Sequence, residues 1–391
     1  MLNKQMDDFQ AYTIDLLQQL LRFESITPQD AGIMRFIKEE LEKLGFICTI
    51  LEFSEKGEKP VLNLYARYGM QEPNLCFAGH LDVVPPGERA AWKYPPFAGH
   101  LQDGTIYGRG AVDMKGAVAS FIGAAKGLIN DNKFKGSLSI LLTGDEEGDA
   151  INGTNKVLGW LEGREEKLDA CIVGEPTAEV FAGDTIKVGR RGSANFKLII
   201  EGTQGHVAYP EKANNPVHHL VSILQALQST KLDDGTKFFT PSQLQITTID
   251  VGNPTSNIIP DKAAASFNIR FNELHTAAQI NNWVSSICDK QNCHYTLNIS
   301  CNSHPFISAP GKLCETAIEV CREVLLREPI LSTSGGTSDA RFIHRYCETI
   351  ELGLCNAMAH KVDECVEMDS IFTLILLYNQ IMRKYFQLPT T

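Results

Sequence analysis

The segment Asn74-Leu-Cys-Phe-Ala-Gly-His80-Leu-Asp82 determines the fold class, because a short apolar run ends directly in a histidine and an aspartate. Residues 138–143, 170–173 and, more weakly, 349–352 repeat this pattern of an apolar run before polar residues. Runs of this length, separated by helical patterns, are typical of buried strands in a largely parallel sheet. Because ligands bind beyond the carboxyl ends of such strands, we expect the polar residues to meet there.

Five short segments contain side chains that bind divalent metals, and most of these segments follow a predicted strand. The candidate residues are His80, Asp82, Asp113, Glu146, Glu147, Glu175 and His360. Two histidines with several carboxylates suit zinc, or cobalt and manganese in its place. The set has too many carboxylates for a closed structural zinc site. We therefore predict a catalytic site with open coordination positions.

His80 and Asp82 are two residues apart at a strand end, so both side chains point to the same side. A metal-bound histidine needs its other ring nitrogen held, and the Asp82 carboxylate is the expected partner. The alternative is a polar turn after a buried strand. The other four segments favour the metal site.

The cluster Asp145-Glu146-Glu147 follows the apolar run 138–143. Adjacent carboxylates at such a strand end repel each other unless cations neutralise them. One can bind a metal, while its neighbour stays free to take a proton from water. An acidic surface run is the alternative. Asp113 and His360 also have alternative roles, as a helix N-cap and as a structural histidine. The presence of the other candidate ligands in the sequence favours metal binding for both.

Composition narrows the class of protein. A chain of 391 residues favours two domains, and 36 basic against 47 acidic residues leave a net charge of −11. This charge argues against nucleic-acid and membrane partners. The eleven cysteines are scattered without C-x-x-C spacing, which indicates reduced thiols in a cytoplasmic protein. The sequence contains no signal peptide or transmembrane helix pattern.

The pattern changes after Arg191, where strands and helices alternate in the order β-α-β-β-α-β. This order fits a ferredoxin-like module over residues 192–304. Because the candidate ligand His360 follows it, we expect the module to be inserted into a catalytic domain formed by residues 1–191 and 305–391. The predicted fold is α/β with a mixed sheet flanked by helices, plus an inserted α+β domain.

Four longer motifs carry a resemblance to a known family. They are Gly108-Arg-Gly-Ala-Val-Asp-Met-Lys-Gly116, Gly189-Arg-Arg-Gly-Ser193, Gly202-Thr-Gln-Gly-His-Val-Ala-Tyr-Pro210 and Ser334-Gly-Gly-Thr-Ser-Asp-Ala-Arg-Phe342. With them, nearly the whole chain resembles the M20 metallopeptidases, whose fold is a zinc-peptidase-like sheet. The last three motifs resemble the branch that acts on succinylated substrates, rather than acetylornithine deacetylases or carboxypeptidases.

The resemblance implies two zinc ions per subunit, with cobalt able to substitute. It places His80 and Glu175 on one ion, Glu147 and His360 on the other, and Asp113 between both. It makes Glu146 the general acid and base and Asp82 the partner of His80. It also implies a non-proline cis peptide between Asp113 and Met114.

The resemblance further implies a homodimer through the inserted domain, with His206 acting in the partner's active site. The substrate-binding residues that it implies are Arg190, Ser193, Tyr209, Asn257, Arg270, Thr337 and Asn356. Ser256 stands where relatives often have asparagine.

Two alternatives remain open at this point. One is another M20 amidohydrolase, such as a deacetylase or a dipeptidase; a deacetylase binds no acyl carboxylate, so Arg190 and Arg270 would lack that role. The other is a non-catalytic relative, which would be free to lose ligands. All the expected positions are filled here, which favours hydrolysis of a succinylated amide.

Overall fold

The computed structural model describes residues 2–55, 57–131, 135–308 and 310–389, and the chain divides into two compact units. The first unit runs to Val188 and continues through Ser308–Ser332 and from Ser338 onward. The second unit contains Gly189–Ile307 and the short segment Thr333–Thr337. The sequence pattern predicted residues 192–304 for this unit, so the unit is three residues longer at each end than expected. It also includes the later segment Thr333–Thr337, which the sequence pattern did not indicate.

The helices are numbered in chain order. They are α1 (Leu2–Leu21), α2 (Ile33–Lys43), α3 (Lys115–Asn130), α4 (Thr154–Glu162), α5 (Pro216–Ser229), α6 (Ala277–Asp289), α7 (Lys312–Leu325), α8 (Ala340–Ile343) and α9 (Met368–Tyr385). Short 3-10 helices cover Arg89–Ala91, Pro210–Lys212 and Asn356–Met358. Among the described residues, no helix is both long enough and apolar enough to span a bilayer.

The strands are also numbered in chain order. They are β1 (Ile47–Phe53), β2 (Val61–Tyr68), β3 (Asn74–His80), β4 (His100–Gln102), β5 (Thr105–Tyr107), β6 (Ser137–Thr143), β7 (Ala170–Val173), β8 (Thr185–Lys187), β9 (Gly189–Arg190), β10 (Gly192–Glu201), β11 (Gly205–His206), β12 (Gln243–Asp250), β13 (Ile258–Ile259), β14 (Lys262–Phe271), β15 (His294–Ser303), β16 (Phe306–Ile307), β17 (Ile330–Ser332), β18 (Glu348–Glu351) and β19 (Cys365–Glu367).

The large sheet of the first unit has the strand order β1-β2-β6-β3-β7-β18-β8-β17. Its middle strands β6, β3, β7 and β18 run parallel, with Phe77 opposite Ile140 on one side and Ile172 on the other. These strands are the four apolar runs of the sequence, so the predicted parallel centre of the sheet is confirmed. The sheet is mixed because β1 pairs antiparallel with β2, and β2 with β6.

Helices cover the middle of this sheet, and β3, β6 and β7 are therefore buried along their whole length. Helix α3 packs against α1, α9 and β3. Its small residues permit close contact, and a Cβ on Gly123 would clash with Thr13 Oγ1 of α1. Phe77 of β3 stacks on Phe121 of α3 with 4.4 Å between ring centroids. This packing holds the strand ends, and the residues after them, in fixed positions.

The second unit contains the four-stranded antiparallel sheet β12-β14-β10-β15. The chain passes through it in the order β10-α5-β12-β14-α6-β15, which is the predicted β-α-β-β-α-β order. Its core includes Phe196 of β10 stacked on Phe267 of β14, with 5.1 Å between ring centroids. Alternate residues of β14 point away from this core, so Arg270 lies on the other face of the sheet.

Candidate active site

The carboxyl ends of the middle strands carry most of the candidate ligands. His80 is the last residue of β3, and Glu146 and Glu147 lie in the turn after β6. Glu175 lies just beyond β7. The remaining two candidate ligands lie in connections outside the sheet. Asp113 comes shortly before α3, and His360 comes shortly after the 3-10 helix Asn356–Met358.

The first unit brings five of these residues into two overlapping groups. His80, Asp113 and Glu175 form one group, and Asp113, Glu147 and His360 form the other; in each, the potential ligand atoms lie within 4.8 Å of one another. The two oxygens of Asp113 face different histidines: Oδ1 is 3.1 Å from His80 Nε2, and Oδ2 is 3.2 Å from His360 Nε2. Asp113 is therefore the member common to both groups.

The orientation of His80 follows from its other ring nitrogen. Nδ1 lies 2.8 Å from the main-chain carbonyl oxygen of Asp82, which can only accept a hydrogen bond. Nδ1 therefore carries a proton, and Nε2 is the ring nitrogen directed at Asp113 and Glu175. The hydrogen bond of Nδ1 thus leaves Nε2 as the nitrogen that would bind a metal ion.

Asp82 holds the site in a different way from the one expected. Its carboxylate oxygen Oδ1 is 3.7 Å from His80 Nδ1, beyond hydrogen-bond distance. The carboxylate instead accepts the main-chain N–H groups of Glu146 at 3.3 Å and Glu147 at 3.0 Å. The carbonyl of Asp82 thus orients the histidine, while its side chain anchors the turn that carries both glutamates.

The loop before α3 is shaped by a residue that the sequence interpretation missed. Glu364 is fully buried and accepts the main-chain N–H groups of Gly110, Val112 and Asp113 at 3.0, 2.9 and 3.2 Å. It also accepts a 2.6 Å hydrogen bond from the Arg109 guanidinium. Its sequence signal is a glutamate four positions after the candidate ligand His360. The expected cis peptide between Asp113 and Met114 is confirmed.

Negative charge is concentrated in this site. Burial raises the pKa of Glu175 well above its usual range, and the charges of Glu146 and Asp113 add to the shift. Burial also raises the pKa of Glu146; His80 opposes this shift, and Asp339 reinforces it. Burial raises the pKa of Asp82 to about 6 although His80 and two main-chain amides oppose it. The site favours groups that bring positive charge.

The two histidines compensate part of this charge. Burial by itself lowers the pKa of His80, but the hydrogen bond and charge of Asp113 raise it well above its usual range. Hydrogen bonds with Asp113 and Glu147 raise the pKa of His360 to about 10. In turn, the hydrogen bonds with both histidines hold the pKa of Asp113 below its usual range despite its burial.

The residues fit divalent metal ions. Each group combines a histidine nitrogen with carboxylate oxygens, which is the ligand chemistry of catalytic zinc. Glu175 provides an independent observation, because its Oε1 is buried and has no hydrogen-bond partner within the described part of the chain. Buried carboxylate oxygens are seldom left without a partner, and a cation would satisfy this one.

Asp339 is a second residue that the sequence interpretation did not single out, although it lies in the motif Ser334–Phe342. It is 4% exposed and precedes α8. Its Oδ2 accepts a 2.6 Å hydrogen bond from Thr154 Oγ1 at the start of α4. Because its charge contributes to the raised pKa of Glu146, it belongs to the surroundings of that carboxylate.

The second unit brings together three of the predicted substrate-binding residues. Ser193 of β10 and Arg270 of β14 are direct cross-strand partners, and Arg190 lies in the adjoining β9. Burial lowers the pKa of Arg270, and the like charges of Arg191 and Arg190 add to this shift. Arg270 Nη1 is buried without a hydrogen-bond partner within the described residues. Three clustered guanidinium groups and an unsatisfied donor form a candidate anion-binding site, which we call the arginine cluster.

Three other predicted residues of the second unit, His206, Tyr209 and Asn257, lie in neighbouring segments. His206 of β11 and Tyr209 have ring centroids 5.7 Å apart, and Tyr209 is 54% exposed. The carbonyl of Asn257 accepts the main-chain N–H of Val207 at 3.1 Å. These three residues therefore share one exposed loop region. Thr337 ends the segment Thr333–Thr337 of the second unit, whereas Asn356 belongs to the first unit.

Comparisons with known proteins match most of the chain. A family profile described as "Peptidase family M20/M25/M40" matches residues 76–384. The chain is 46% identical to the succinyl-diaminopimelate desuccinylase of Ehrlichia canis, over 96% of this chain and 98% of that protein.

Solved structures of low sequence identity show the same fold. Aminopeptidase PepT from Bacillus cereus superposes with a TM-score of 0.77 at 20% identity, covering 96% of this chain and 98% of that one. The Bacillus subtilis YXEP protein, described as a dinuclear metal binding peptidase from the M20 family, has a TM-score of 0.69 at 17% identity, with coverage of 96% and 98%.

Proposed function

Since this chain belongs to peptidase family M20/M25/M40, we propose that it hydrolyses N-succinyl-LL-2,6-diaminopimelate to succinate and LL-2,6-diaminopimelate, a step of lysine and diaminopimelate biosynthesis. The full-length similarity to a succinyl-diaminopimelate desuccinylase supports this substrate. The observation that carries the reaction class is the pair of ligand groups sharing Asp113. Metal-dependent hydrolysis of an amide is the chemistry for which such a pair is suited.

Two zinc ions are the proposed cofactors, with cobalt as a substitute. His80 and Glu175 would hold one ion, Glu147 and His360 the other, and Asp113 would bind both. The ions, when bound, supply Lewis acidity that polarises the amide carbonyl and lowers the pKa of the attacking water.

Glu146 is the proposed general base and acid. Its neighbour Glu147 is committed to His360 by a 2.8 Å contact, whereas no hydrogen bond of the Glu146 side chain is seen among the described residues. The main-chain N–H of Glu146 donates to the Asp82 carboxylate, which holds the residue at the site. The Glu146 side chain therefore stays free to exchange a proton. Glu146 takes a proton from the attacking water and returns it to the leaving amine nitrogen.

The arginine cluster is the proposed anchor for the succinyl carboxylate. Guanidinium groups bind carboxylates through paired hydrogen bonds, and Arg270 has a buried donor available for one. Ser193 lies directly opposite Arg270 and adds a hydroxyl to the same place. An acetyl group carries no charge for this anchor, so the cluster favours a succinylated substrate.

The substrate is tested with zinc-loaded protein, N-succinyl-diaminopimelate and N-acetylornithine. We expect efficient turnover of the first compound alone. Arg270→Ala should lower kcat/KM for the succinylated substrate by roughly 10- to 100-fold, because a charge-assisted hydrogen bond contributes about 1.5–3 kcal/mol. The matched control is Lys197→Ala, which removes an exposed cation from β10 and should leave kcat/KM unchanged. Equal turnover of both substrates by the wild type would contradict the assignment. So would an Arg270→Ala variant that keeps the wild-type preference for the succinylated over the acetylated substrate.

We further propose that the protein is a cytoplasmic homodimer assembled through its second unit. β12 is an edge strand of the four-stranded sheet, and Ile249 on it is 56% exposed, so this edge has unpaired main-chain groups and an apolar side chain to offer a partner. All eleven cysteines are unpaired thiols, as a reducing compartment requires.

His206 is proposed to act in the partner's active site by donating a hydrogen bond to the oxyanion that forms during hydrolysis. We expect mixed dimers of Glu146→Gln and His206→Ala subunits to regain activity that neither parent shows, because one of the two sites then has both residues. The two subunit types would carry different tags, so that pure mixed dimers can be isolated and assayed.

The matched control for this experiment is a mixed dimer of wild-type subunits with Glu146→Gln/His206→Ala subunits. If His206 acts across the dimer, both sites of this control lack one residue and it is inactive. His206 would act in its own subunit if this control were active and the mixed dimer of one Glu146→Gln subunit and one His206→Ala subunit were inactive.

A further inference from the structure

A buried ion pair between Arg109 and Glu364 lies next to the segments that carry two of the candidate ligands. Arg109 Nη1 is 2.6 Å from Glu364 Oε2, and the two side chains are 2% and 0% exposed. They meet because β5 and β19 pair antiparallel with Tyr107 opposite Cys365, which brings the residues just beyond that pair together. The main chains are joined there as well, since the Gly108 N–H donates to the Glu364 carbonyl at 2.9 Å.

The glutamate side of the pair holds the main chain at Asp113. Glu364 Oε2 accepts the N–H of Gly110 at 3.0 Å. Its Oε1 accepts the N–H groups of Val112 and Asp113 at 2.9 and 3.2 Å. Because Asp113 is common to both ligand groups, this side of the pair supports both of them.

The arginine side of the pair holds the main chain at His360. Arg109 Nη2 donates to the carbonyl of His360 at 3.3 Å, and Nη1 donates to the carbonyl of Lys361 at 3.2 Å. His360 belongs only to the group that also contains Asp113 and Glu147, which we call the His360 group. The other group, formed by His80, Asp113 and Glu175, is called the His80 group. The two carbonyl contacts of Arg109 therefore support one group and not the other.

The conformation of His360 explains why it needs this support. Its φ is +63°, a value that residues other than glycine seldom adopt and that persists only where surrounding contacts impose it. The guanidinium that provides these contacts is itself fixed. It lies over the ring of Trp92 at 5.3 Å, and its Nη2 also donates to the Pro85 carbonyl at 3.4 Å. A planar fork of fixed donors can hold two adjacent carbonyls in one orientation.

We propose that Arg109 is a positioning residue for the His360 group. Its guanidinium sets the position of His360, which it holds directly, relative to Asp113, which it holds through Glu364. Its hydrogen bonds run to main-chain atoms of both segments, so it orients the ligands without being one of them. The inference rests on the proposed metal sites and makes no assumption about the substrate.

The test is Arg109→Lys, which keeps a positive charge opposite Glu364 but replaces the planar fork with a single ammonium group. Metal-free protein is titrated with Zn²⁺ in competition with a chelator, which measures the number and the affinity of bound ions. We expect the wild type to bind two ions. The variant should bind one ion as tightly as the wild type and the other about tenfold or more weakly, the usual effect of removing a group that orients a ligand.

NMR of isotope-labelled histidines identifies the weakened site. In the Arg109→Lys variant, the His80 signals should respond at the same zinc concentration as in the wild type. The His360 signals should respond only at a higher concentration, and a His360→Ala variant assigns them. A merely structural role of Arg109 would weaken both ions alike, so the difference between the two affinities is the deciding measurement.

Glu364→Gln separates the two sides of the pair. The amide has one accepting oxygen in place of two, so the N–H groups on one side of it meet a donor. Because Asp113 is shared, we expect both ions to bind more weakly in this variant. The matched control is Arg89→Lys, since Arg89 also pairs with a glutamate, Glu24 at 2.6 Å, and lies over the ring of Phe97, but is exposed. It should bind both ions like the wild type.

Circular dichroism shows whether each variant is folded. If Arg109→Lys does not fold, Arg109→Met/Glu364→Gln takes its place, because it leaves no unpaired buried charge, and it should bind the ion of the His360 group more weakly than the other. Wild-type affinity for both ions in the folded variant, or equal weakening of both ions in Arg109→Lys, would overturn the inference. A wild-type protein that binds no zinc would overturn the metal sites themselves, and this inference with them.

Discussion

Glu146→Gln should retain both metal ions and lose nearly all turnover. The amide keeps the size of the side chain but cannot take a proton from water, and general base catalysis contributes about 10²- to 10⁴-fold. The anchoring of this turn should persist, because Asp82 accepts the main-chain N–H of residue 146 and not its side chain. Steady-state kinetics and metal analysis of the same preparation measure both parts of the prediction.

The neighbouring residue provides the matched comparison. Glu147 lies 2.8 Å from His360 Nε2 and belongs to one of the two ligand groups. Glu147→Gln should therefore lose metal together with activity, whereas Glu146→Gln should lose activity alone. A Glu146→Gln enzyme that keeps more than about a tenth of the wild-type kcat would show that the residue is not the base, given the contribution expected of one.

Asp113→Ala is the second change with a large expected effect, since this one carboxylate serves both ligand groups. Without it, each group keeps one histidine and one glutamate, which is too few ligands for tight binding. We expect the variant to bind neither ion stoichiometrically after dialysis and to have no measurable turnover. Metal analysis by mass spectrometry and an activity assay with added zinc test this.

Folding must be separated from metal binding in this experiment. Asp15→Ala removes an exposed aspartate from α1 and serves as the control for loss of a carboxylate. Circular dichroism should show the same secondary structure in both variants, because Glu364 holds the main chain around residue 113 through N–H groups that alanine also has. An Asp113→Ala protein with two tightly bound zinc ions would refute the assignment of a shared ligand.

Several features of the fold could be predicted because they depend on local periodicity. The four apolar runs became β3, β6, β7 and β18, and a run that is apolar on both faces has to lie inside the sheet. Parallel strands have their carboxyl ends at one edge, so the residues after three of these runs could be expected to meet. The β-α-β-β-α-β order of the second unit was predictable from alternation for the same reason.

Contacts between distant parts of the chain could not be read from such patterns. Glu364 stabilises the loop at Asp113 across 251 residues, and a buried glutamate has no local pattern that names its partners. Residues 333–337 belong to the second unit, and the Arg190 guanidinium donates to the carbonyls of Ser334 and Gly336 at 3.3 and 3.1 Å there. Burial and pairing of polar groups decide these features, and both require the folded chain.

Asp82 shows which features the sequence determines and which depend on the tertiary structure. The sequence by itself determined that His80 and Asp82 stand at a strand end on the same side, because strand geometry repeats every two residues. Only the tertiary structure decided that the main-chain carbonyl of Asp82 orients the histidine, while the Asp82 carboxylate anchors the turn of Glu146 and Glu147. The physical reason is that hydrogen-bond partners are chosen by distances of a few tenths of an ångström, which are set by the packing of β3 against β6.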